Sequence, residues 1–238
     1  FHTDHTGGLL TLRRAFMADN PDAFSMVYVA RGFFAQRYTR EGEEIYSLPN
    51  PGFTESFPTP GAFRRVAEAL GIEFSVIDEP LELRPGVVLT GPVARIHDEK
   101  NVGAGFFLQD GEDALVADTV PESQVLGLHT RSGWVLLSGC GHAGIINAAE
   151  ALRAIKDAPV RMAVGGFHLF QANDATIEWT GAALQRFGVE KFVGAHCTGA
   201  YATRKLADIL QLPRGAVSMG AIGTRVDSSL NIVPSSIE

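Results

Sequence analysis

Residues 134–156 read WVLLSGCGHAGIINAAEALRAIK and combine three signals of an α/β fold in one stretch. The apolar run 134–138 is typical of a buried strand, and the glycines of 139–144 indicate a tight turn. The segment 145–156 then has the apolar spacing of a helix. The turn also carries His142, so an imidazole follows directly after the predicted strand.

The same order of strand, histidine-containing turn and helix occurs twice more downstream. VRMAV (160–164) leads through GGFHL to a predicted helix, and KFVGA (191–195) leads through HCTG to another. These two turns carry His168 and His196. Open α/β sheets build their sites just beyond the carboxyl ends of their strands. We therefore predict an alternating β/α architecture with three histidines beyond the ends of its strands.

The first half of the chain has shorter predicted elements and more loop. The stretch 47–61 contains four prolines in fifteen residues, which predicts no regular structure there. Residues 95–105 form a polar, glycine-containing loop. Apolar spacing predicts helices over 9–18, 62–71, 145–156, 175–188 and 200–210, and strands over 25–30, 73–77, 86–91, 105–109 and 114–118. We expect one domain spanning residues 1–238.

Composition excludes several classes of protein. The formal net charge of −7 provides no electrostatic footprint for nucleic acid or an anionic membrane, so we expect neither partner. No apolar run approaches the roughly 18 residues that span a bilayer, and we expect a soluble, cytoplasmic protein. The presence of only two cysteines, Cys140 and Cys197, excludes a disulfide scaffold. One bridge between them stays open, but we expect reduced thiols. Basic pairs such as Arg13-Arg14 are typical of a solvated helix face.

Residues 2–5 read HTDH and place three metal-capable side chains on one short segment, followed by Gly7 and Gly8. Imidazole and carboxylate suit zinc and other first-row divalent metals. On an extended segment, His2 and Asp4 emerge on the same side and His5 on the other, so one loop can serve two neighbouring metals. The two remaining histidines, His97 in the polar loop and His129 in a predicted hairpin connection, are expected to be solvated and structural, respectively.

The segments FHTDHTGGL, SGCGHAGI, GGFHL and GAHCTG, in that order, resemble the metallo-β-lactamase superfamily. Within it they are similar to the branch of dihydropterin ribofuranosyl-aminobenzene phosphate synthases and related hydrolases. The resemblance spans Phe1 to about Arg225. It implies a four-layered αβ/βα sandwich with a binuclear metal site and the signature H-x-H-x-D-H.

The resemblance also implies a set of metal ligands. His2 matches the second histidine of the signature and is followed by Asp4 and His5. His142 matches the ligand that joins the signature histidines at one metal. His196 matches the ligand that completes the second metal with Asp4 and His5. We therefore expect these five side chains to converge.

Two features depart from the superfamily pattern. The first signature histidine falls immediately before Phe1, so we expect an N-terminally incomplete domain that lacks the strands preceding the motif. A complementing N-terminal segment or a homo-oligomer is an expected partner. In addition, GGFHL stands where the superfamily places a bridging aspartate, so His168 is expected to act as a ligand or as a donor to substrate.

The resulting prediction is a metal-dependent hydrolase with two divalent ions, zinc first and manganese or iron as alternatives. A metal-bound hydroxide would attack a small organic ester, lactone or phosphoester. Asp4 would orient the nucleophile, and His168 would protonate a leaving group or stabilise an oxyanion. Two alternatives stay open: a pterin-linked synthase of the same fold, and a non-enzymatic metal-binding or metal-sensing module with a closed coordination sphere.

Overall fold

The computed structural model describes residues 2–48, 57–99, 101–111 and 114–235. The chain divides into two compact units. Unit 1 comprises Phe1–Asp78 and Gly103–Glu122, and unit 2 comprises Glu79–Val102 and Ser123–Glu238. That the whole chain forms one domain stays a prediction.

Helices and strands alternate along the described part of the chain. The α-helices are α1 (Thr3–Thr6), α2 (Leu9–Phe16), α3 (Pro60–Ala69), α4 (Ile145–Ile155), α5 (Asp174–Phe187) and α6 (Ala200–Ile209). The strands are β1 (Met26–Ala30), β2 (Arg37–Glu41), β3 (Glu44–Ser47), β4 (Glu73–Ile77), β5 (Leu81–Arg84), β6 (Val87–Leu89), β7 (Phe106–Asp110), β8 (Ala114–Ala117), β9 (Leu126–Thr130), β10 (Gly133–Ser138), β11 (Val160–Gly165), β12 (Lys191–Gly194), β13 (Val217–Ser218), β14 (Arg225–Val226) and β15 (Ile232–Val233). Every helix and strand predicted above is present, with ends shifted by a few residues. Among the described residues, no helix is long and apolar enough to cross a membrane.

Unit 1 contains a parallel pair of strands and a separate antiparallel sheet. Strand β1 pairs with β4, and the sheet has the order β3-β2-β7-β8. Helix α3 begins where the Thr59 side chain accepts a hydrogen bond from the N–H of Ala62, with Pro60 in the first turn. Of the predicted irregular segment, residues 49–56 lie outside the described residues, and Pro60 belongs to the helix instead. Its fixed φ and missing N–H suit that position.

The HTDH motif forms a helical turn, so the extended segment predicted for residues 2–5 is wrong. The backbone N–H groups of His5 and Thr6 both donate to the His2 carbonyl at 3.0 Å. The Thr6 hydroxyl donates to the same carbonyl at 2.9 Å. Local hydrogen bonds of this kind are available to a helical turn and not to an extended chain, and they form helix α1.

Arg13 is buried, with 5% of its surface exposed, which contradicts the solvated face predicted for the Arg13-Arg14 pair. Its guanidinium donates to the carbonyl oxygens of Pro21 and Ala23 at 2.6 and 2.7 Å and to that of Leu70 at 2.9 Å. A buried cation needs several such acceptors to offset the loss of hydration. Arg13 therefore joins α2 to the loop before β1 and to the end of α3.

Unit 2 is built on a seven-stranded sheet with the order β13-β12-β11-β10-β9-β6-β5. Strands β10, β11, β12 and β13 run parallel to one another, whereas β9 is antiparallel to β10. Ser138 is in register with Gly165, and Gly165 with Gly194. Three successive parallel strands therefore end at the same level, and the three predicted histidine turns leave the same edge of this sheet.

Both faces of this sheet are covered, which explains the continuous apolar run of β10. Trp134 and Leu136 join one buried cluster with residues of helices α4, α5 and α6. Val135 points to the opposite face and joins a second cluster with Met162, Val193 and Ile232. The Trp134 indole N–H donates to the Lys156 carbonyl at 3.0 Å, so its polar atom is satisfied within the core.

Candidate metal centre

The loops after β10, β11 and β12 bring four potential ligands or catalytic groups together within unit 2. The Cys140 sulfur has a ring nitrogen of His142 and one of His196 each within 4.8 Å. The ring centres of His142 and His168 lie 4.3 Å apart, with the rings tilted by 44°. We refer to Cys140, His142, His168 and His196 as the histidine cluster. Its three imidazoles are those that the sequence placed at strand ends.

The protonated nitrogen of His142 is fixed by the polar loop. Its ring Nδ1 lies 2.7 Å from the backbone oxygen of Asn101, and His142 is 5% exposed. A carbonyl oxygen only accepts hydrogen bonds, so Nδ1 carries the hydrogen and the lone pair of the neutral ring is on Nε2. Metal-binding histidines are commonly oriented by a second hydrogen bond of this kind. The arrangement therefore presents Nε2 as the ligand atom.

Asn101 also reaches the loop that carries His168. Its side-chain Nδ2 donates to the Phe167 carbonyl at 3.0 Å, and Asn101 is 4% exposed. From the sequence, Asn101 is predictable only as part of a polar loop, because this hydrogen bond joins residues 66 positions apart and no local pattern indicates it. One buried residue thus contacts both the His142 ring and the backbone next to His168.

The His168 loop is bonded closely to the His196 loop. The Cys197 carbonyl accepts hydrogen bonds from the backbone N–H groups of Leu169 and Phe170 at 3.0 and 3.1 Å. The hydroxyl of Thr198, which is fully buried, donates to the Gly165 carbonyl at 2.9 Å and accepts from Phe167 N–H at 3.1 Å. These contacts fix the relative positions of the two loops before any ligand binds.

Both His168 and His196 have left-handed backbone conformations, with φ values of 48° and 49°. Such conformations are uncommon for residues other than glycine and cluster at functional sites. Gly165, with φ of 129°, makes the turn after β11 possible, because an added Cβ would lie 1.8 Å from the Ser138 oxygen. The backbone thus leaves the regular strand conformation at both histidines.

A buried carboxylate holds the start of α4, which follows the His142 loop. Glu99 accepts hydrogen bonds from the backbone N–H groups of Ile146 and Asn147 at 3.1 and 2.8 Å. The preceding residue Gly144 has no side chain to cap the helix. Burial raises the pKa of Glu99, although the two N–H groups oppose this effect. Glu99 thus anchors the polar loop to the helix, a role that no local sequence pattern indicates.

The His168 ring is half-buried, and burial lowers its pKa. The nearby His196 acts in the same direction, because two positive rings repel each other. A histidine with a lowered pKa is neutral at pH 7. His168 can therefore offer both a hydrogen-bond donor and a basic nitrogen to a bound molecule.

The two cysteines meet beside the cluster although 57 residues separate them. Their sulfurs lie 3.3 Å apart and are not joined by a disulfide. The Cys197 sulfur is also 3.3 Å from the Cys140 carbonyl oxygen. The hydrogen bond from Cys140 lowers the pKa of the Cys197 thiol. The expectation of reduced thiols agrees with this geometry, but their proximity could not be read from the sequence.

Unit 1 carries the other three predicted ligands at helix α1. The Asp4 Oδ2 and His5 Nε2 atoms are 3.6 Å apart, and both residues are exposed. Burial lowers the pKa of His2 to about 4, and the positive charge of Arg37 adds to the effect. Arg37 is itself buried and forms ion pairs with Asp118 and Glu122. His2 is thus neutral at pH 7, as a metal ligand must be.

The two remaining histidines lie outside the histidine cluster. Strands β9 and β10 form the predicted hairpin, but His129 lies in strand β9 rather than in the turn. Its ring packs edge-on against Trp134, with the ring centres 4.9 Å apart. This contact favours the structural role expected for it. His97 is partly buried, with its Nε2 3.5 Å from a carboxylate oxygen of Glu150, so the expected solvated position is also wrong.

The donor atoms of the histidine cluster fit a divalent metal of the zinc type. A thiol lies within 4.8 Å of a ring nitrogen of each of two imidazoles, and one of these imidazoles has its tautomer fixed by a carbonyl. In unit 1, a neutral imidazole, a carboxylate and a second imidazole follow each other on one helical turn. The assignment of His2, Asp4, His5, His142 and His196 as ligands stays a prediction.

The chain is similar to known proteins over most of its length. It is 28% identical over 205 residues to the 7,8-dihydropterin-6-methyl-4-(β-D-ribofuranosyl)-aminobenzene-5′-phosphate synthase of Methanocaldococcus jannaschii, covering 83% of this chain and 64% of the synthase. It is 26% identical over 147 residues to the uncharacterized protein MJ0448 of the same organism, covering 61% of this chain and 53% of that protein. The chain thus spans less than two thirds of either relative. No family model matches it.

A solved structure establishes the fold. The crystal structure of Tm1679, a metal-dependent hydrolase of the β-lactamase superfamily, superposes with a TM-score of 0.64 at 24% identity. The superposition covers 82% of this chain and 67% of that one. The predicted α/β class is confirmed. The chain therefore has the metallo-β-lactamase fold, and its predicted resemblance to this superfamily and its dihydropterin synthase branch is confirmed.

Proposed function

We propose that this protein is a metal-dependent hydrolase that holds two divalent ions, zinc first among them. His142 and His196 in unit 2 would act as ligands together with His2, Asp4 and His5 in unit 1. The observation that carries the proposal is the 2.7 Å contact between His142 Nδ1 and the Asn101 carbonyl. It leaves the Nε2 lone pair of a buried imidazole as the ligand atom, and the Cys140 sulfur lies within 4.8 Å of a ring nitrogen of this histidine.

Bound divalent ions supply Lewis acidity towards a carbonyl or phosphoryl oxygen and lower the pKa of water. The chain's own residues would orient and stabilise the reacting groups. His168, neutral because burial lowers its pKa, would donate an N–H to negative charge developing on a substrate oxygen. The Asp4 carboxylate would accept a hydrogen bond from the attacking water and so direct its lone pair at the substrate.

The proposed substrate is a small organic ester, lactone or phosphoester. These compounds share an oxygen leaving group and an electrophilic carbon or phosphorus, which suit a site with imidazole donors and metal ligands. The net charge of −7 gives no support to a polyanionic substrate such as nucleic acid. The similarity in fold to a metal-dependent hydrolase supports the reaction class.

A second candidate, a pterin-linked synthase, is favoured by the 28% identity to the Methanocaldococcus jannaschii synthase. The two candidates differ in what they need for turnover. A hydrolase acts on one substrate and water, whereas the synthase needs two organic reactants. Mass-spectrometric analysis of a mixture of 4-(β-D-ribofuranosyl)aminobenzene 5′-phosphate and a 7,8-dihydropterin with a phosphate leaving group on its 6-methyl carbon would reveal the product that the relative's name specifies.

The test of the proposed function combines metal analysis with turnover. Protein reconstituted with zinc should contain two ions per chain by plasma mass spectrometry and should hydrolyse 4-nitrophenyl acetate or bis(4-nitrophenyl) phosphate. His142→Ala should lose both properties, whereas His129→Ala, which changes a histidine outside the cluster, should keep both. Two bound ions without turnover of any ester would favour a metal-sensing module. A failure to bind metal would contradict the proposal.

A further inference from the structure

Cys140 and Cys197 have no part in the proposed hydrolysis, yet their sulfurs lie 3.3 Å apart. They are the only cysteines among the 238 residues of the chain. Each is partly buried, so small molecules have some access to both sulfurs. Two thiols at this separation are close to the roughly 2.05 Å of a disulfide bond. Closing the remaining gap of about 1.2 Å would require rotation about the two Cα–Cβ bonds.

We propose that Cys140 and Cys197 form a reversible intramolecular disulfide that acts as a redox switch on the histidine cluster. Hydrogen bonds hold the backbone around the pair in place, so the reaction needs no large rearrangement of the loops. The Cys197 carbonyl accepts N–H groups of Leu169 and Phe170, and Thr198 binds the Gly165 carbonyl. Holding two reactants in place in this way strongly favours their reaction with each other.

The loop after β11 is shaped around the Cys197 sulfur. A Cβ added to Gly166 would lie 2.9 Å from this sulfur and 2.2 Å from the Gly139 oxygen. Only glycine therefore leaves the space that the sulfur occupies next to Cys140. The contact of the Cys197 sulfur with the Cys140 carbonyl, at 3.3 Å, further restricts where it can move.

The reaction balances with hydrogen peroxide as the oxidant. One sulfur attacks a peroxide oxygen, the O–O bond breaks, and a sulfenic acid and water form. The second sulfur then attacks the sulfenic sulfur, the S–S bond forms, and hydroxide leaves and takes up the thiol proton as water. Two thiols and one peroxide thus give one disulfide and two waters. A dithiol reductant reverses the change by thiol–disulfide exchange.

The link to the histidine cluster follows from sequence position and rests on the proposed function. His142 comes two residues after Cys140, and His196 immediately precedes Cys197. Closing the disulfide draws the two ligand loops together and removes the thiol that stands within 4.8 Å of both imidazoles. Changes next to metal ligands typically cost 10- to 100-fold in metal affinity. The oxidised protein should therefore bind zinc at least about tenfold more weakly.

The experiment measures intact mass, thiol number and zinc affinity on the same preparation. Metal-free protein treated with hydrogen peroxide should lose about 2 Da as a monomer, and its two titratable thiols should disappear. Dithiothreitol should restore both. Cys140→Ser and Cys197→Ser are matched controls that retain one thiol each and should show no 2 Da loss. Zinc titration of the oxidised and reduced forms should show the weaker binding.

The outcomes separate the switch from the proposed function. Mass gains from sulfinic acid without any loss of 2 Da, or a disulfide found only between two chains, would overturn the internal disulfide. Equal zinc affinity of the oxidised and reduced forms would overturn its effect on the cluster. If neither form bound zinc, the proposed function and the switch would both fail, whereas the mass measurement would still report the disulfide itself.

Discussion

At the scale of single residues, the geometry of His168 suits either role predicted for it, metal ligand or donor to substrate. Its left-handed backbone, half-buried ring and 4.3 Å contact with His142 place it in the cluster. Its motif replaces the bridging aspartate that the resemblance led us to expect. These two roles can be told apart by removing the ring. If His168 is an essential ligand, the metal is lost, whereas if it is a donor to substrate, the metal stays bound.

We expect His168→Asn to keep most of the bound metal and to lower turnover about 100-fold or more, the usual range for a lost acid–base group. Asparagine suits this test because it tolerates the left-handed conformation. Metal content and the rate of ester hydrolysis would be measured together, with His129→Asn as the same change outside the cluster. Wild-type turnover in His168→Asn would return His168 to a structural role.

The lowered pKa of His2 predicts how stability depends on pH. The unfolded chain takes up a proton at His2 near its ordinary pKa of 6.5, whereas the folded protein does so only near pH 4. Between these values the unfolded state binds more protons, so the free energy of unfolding decreases as the pH falls. The burial that lowers the pKa of His168 acts in the same direction.

Urea unfolding of the metal-free protein would measure this effect at several pH values between 7.5 and 4.5. We expect the loss of stability to begin as the pH falls below about 6.5. His2→Asn should show a shallower decrease over the same range. The variant lacks the imidazole that, between about pH 4 and 6.5, is protonated in the unfolded chain but neutral in the folded protein. An unchanged slope in this variant would show that burial does not lower the pKa of His2.

At the scale of secondary-structure elements, the starts of α4 and α5 are capped in different ways. Glu99 reaches α4 from a distant loop and is buried, whereas Asn173 caps α5 locally by accepting the N–H of Thr176 at 2.9 Å. Only the first of these caps borders the loop of His142. Comparing them separates ordinary helix capping from support of the candidate metal centre.

We expect Glu99→Ala to lower the free energy of unfolding by about 2 kcal/mol or more, because two buried N–H groups lose their acceptor. Asn173→Ala should cost about 1 kcal/mol, as an exposed cap does. Denaturant unfolding measures both values, and zinc titration should show weaker binding only for Glu99→Ala. Equal effects of the two changes on zinc binding would contradict a special role for Glu99.

The end of β11 depends on a glycine. Gly165→Ala would place a methyl group 1.8 Å from the Ser138 oxygen at φ of 129°. We expect a loss of about 3 kcal/mol or more, or a failure to fold. Gly215→Ala is the matched control, since an added Cβ there meets nothing within 4 Å. Thermal unfolding of both variants would check the difference, and similar melting temperatures would show that the backbone at Gly165 can relax.

The elements that the sequence predicted are those with strong local patterns. Strands β10, β11 and β12 are continuous apolar runs followed by glycine and a capped or glycine-started helix, so their order and their histidines were predictable. Strands β2 and β3, with the sequences RYTRE and EIYS, were missed because their residues are mostly polar and exposed. Their hydrogen bonds to each other and to β7, rather than burial, make them strands.

The contacts that support the candidate metal centre were missed for a different reason. Each of these contacts joins residues that are far apart in the sequence. The separation is 41 residues for Asn101 and His142, 47 for Glu99 and Ile146, and 57 for Cys140 and Cys197. Hydrophobic periodicity and turn composition are local patterns, so they cannot predict contacts between residues this far apart in the sequence. The fold alone determines them, because it brings the polar loop and the ends of three strands to one edge of the sheet.

At the scale of the whole molecule, the candidate ligands belong to two units that are distant in sequence. His2, Asp4 and His5 lie in unit 1, and His142 and His196 lie in unit 2. If all five bind the same pair of ions, as we propose, the stability gained from metal depends on both units. A metal that binds the folded state and not the unfolded state stabilises the protein, and the size of the effect depends on the metal concentration and the affinity.

We therefore expect zinc at 100 times its dissociation constant to add about 2.7 kcal/mol to the free energy of unfolding for each bound ion. For a chain of this length that corresponds to an increase in melting temperature of about 5–10 °C. A chelator should reverse the increase. His5→Ala in unit 1 and His142→Ala in unit 2 should each reduce it strongly, while His97→Ala should leave it unchanged. If His142→Ala abolished the increase and His5→Ala had no effect, the metal would be held by unit 2 alone, and the ligands proposed for α1 would be wrong.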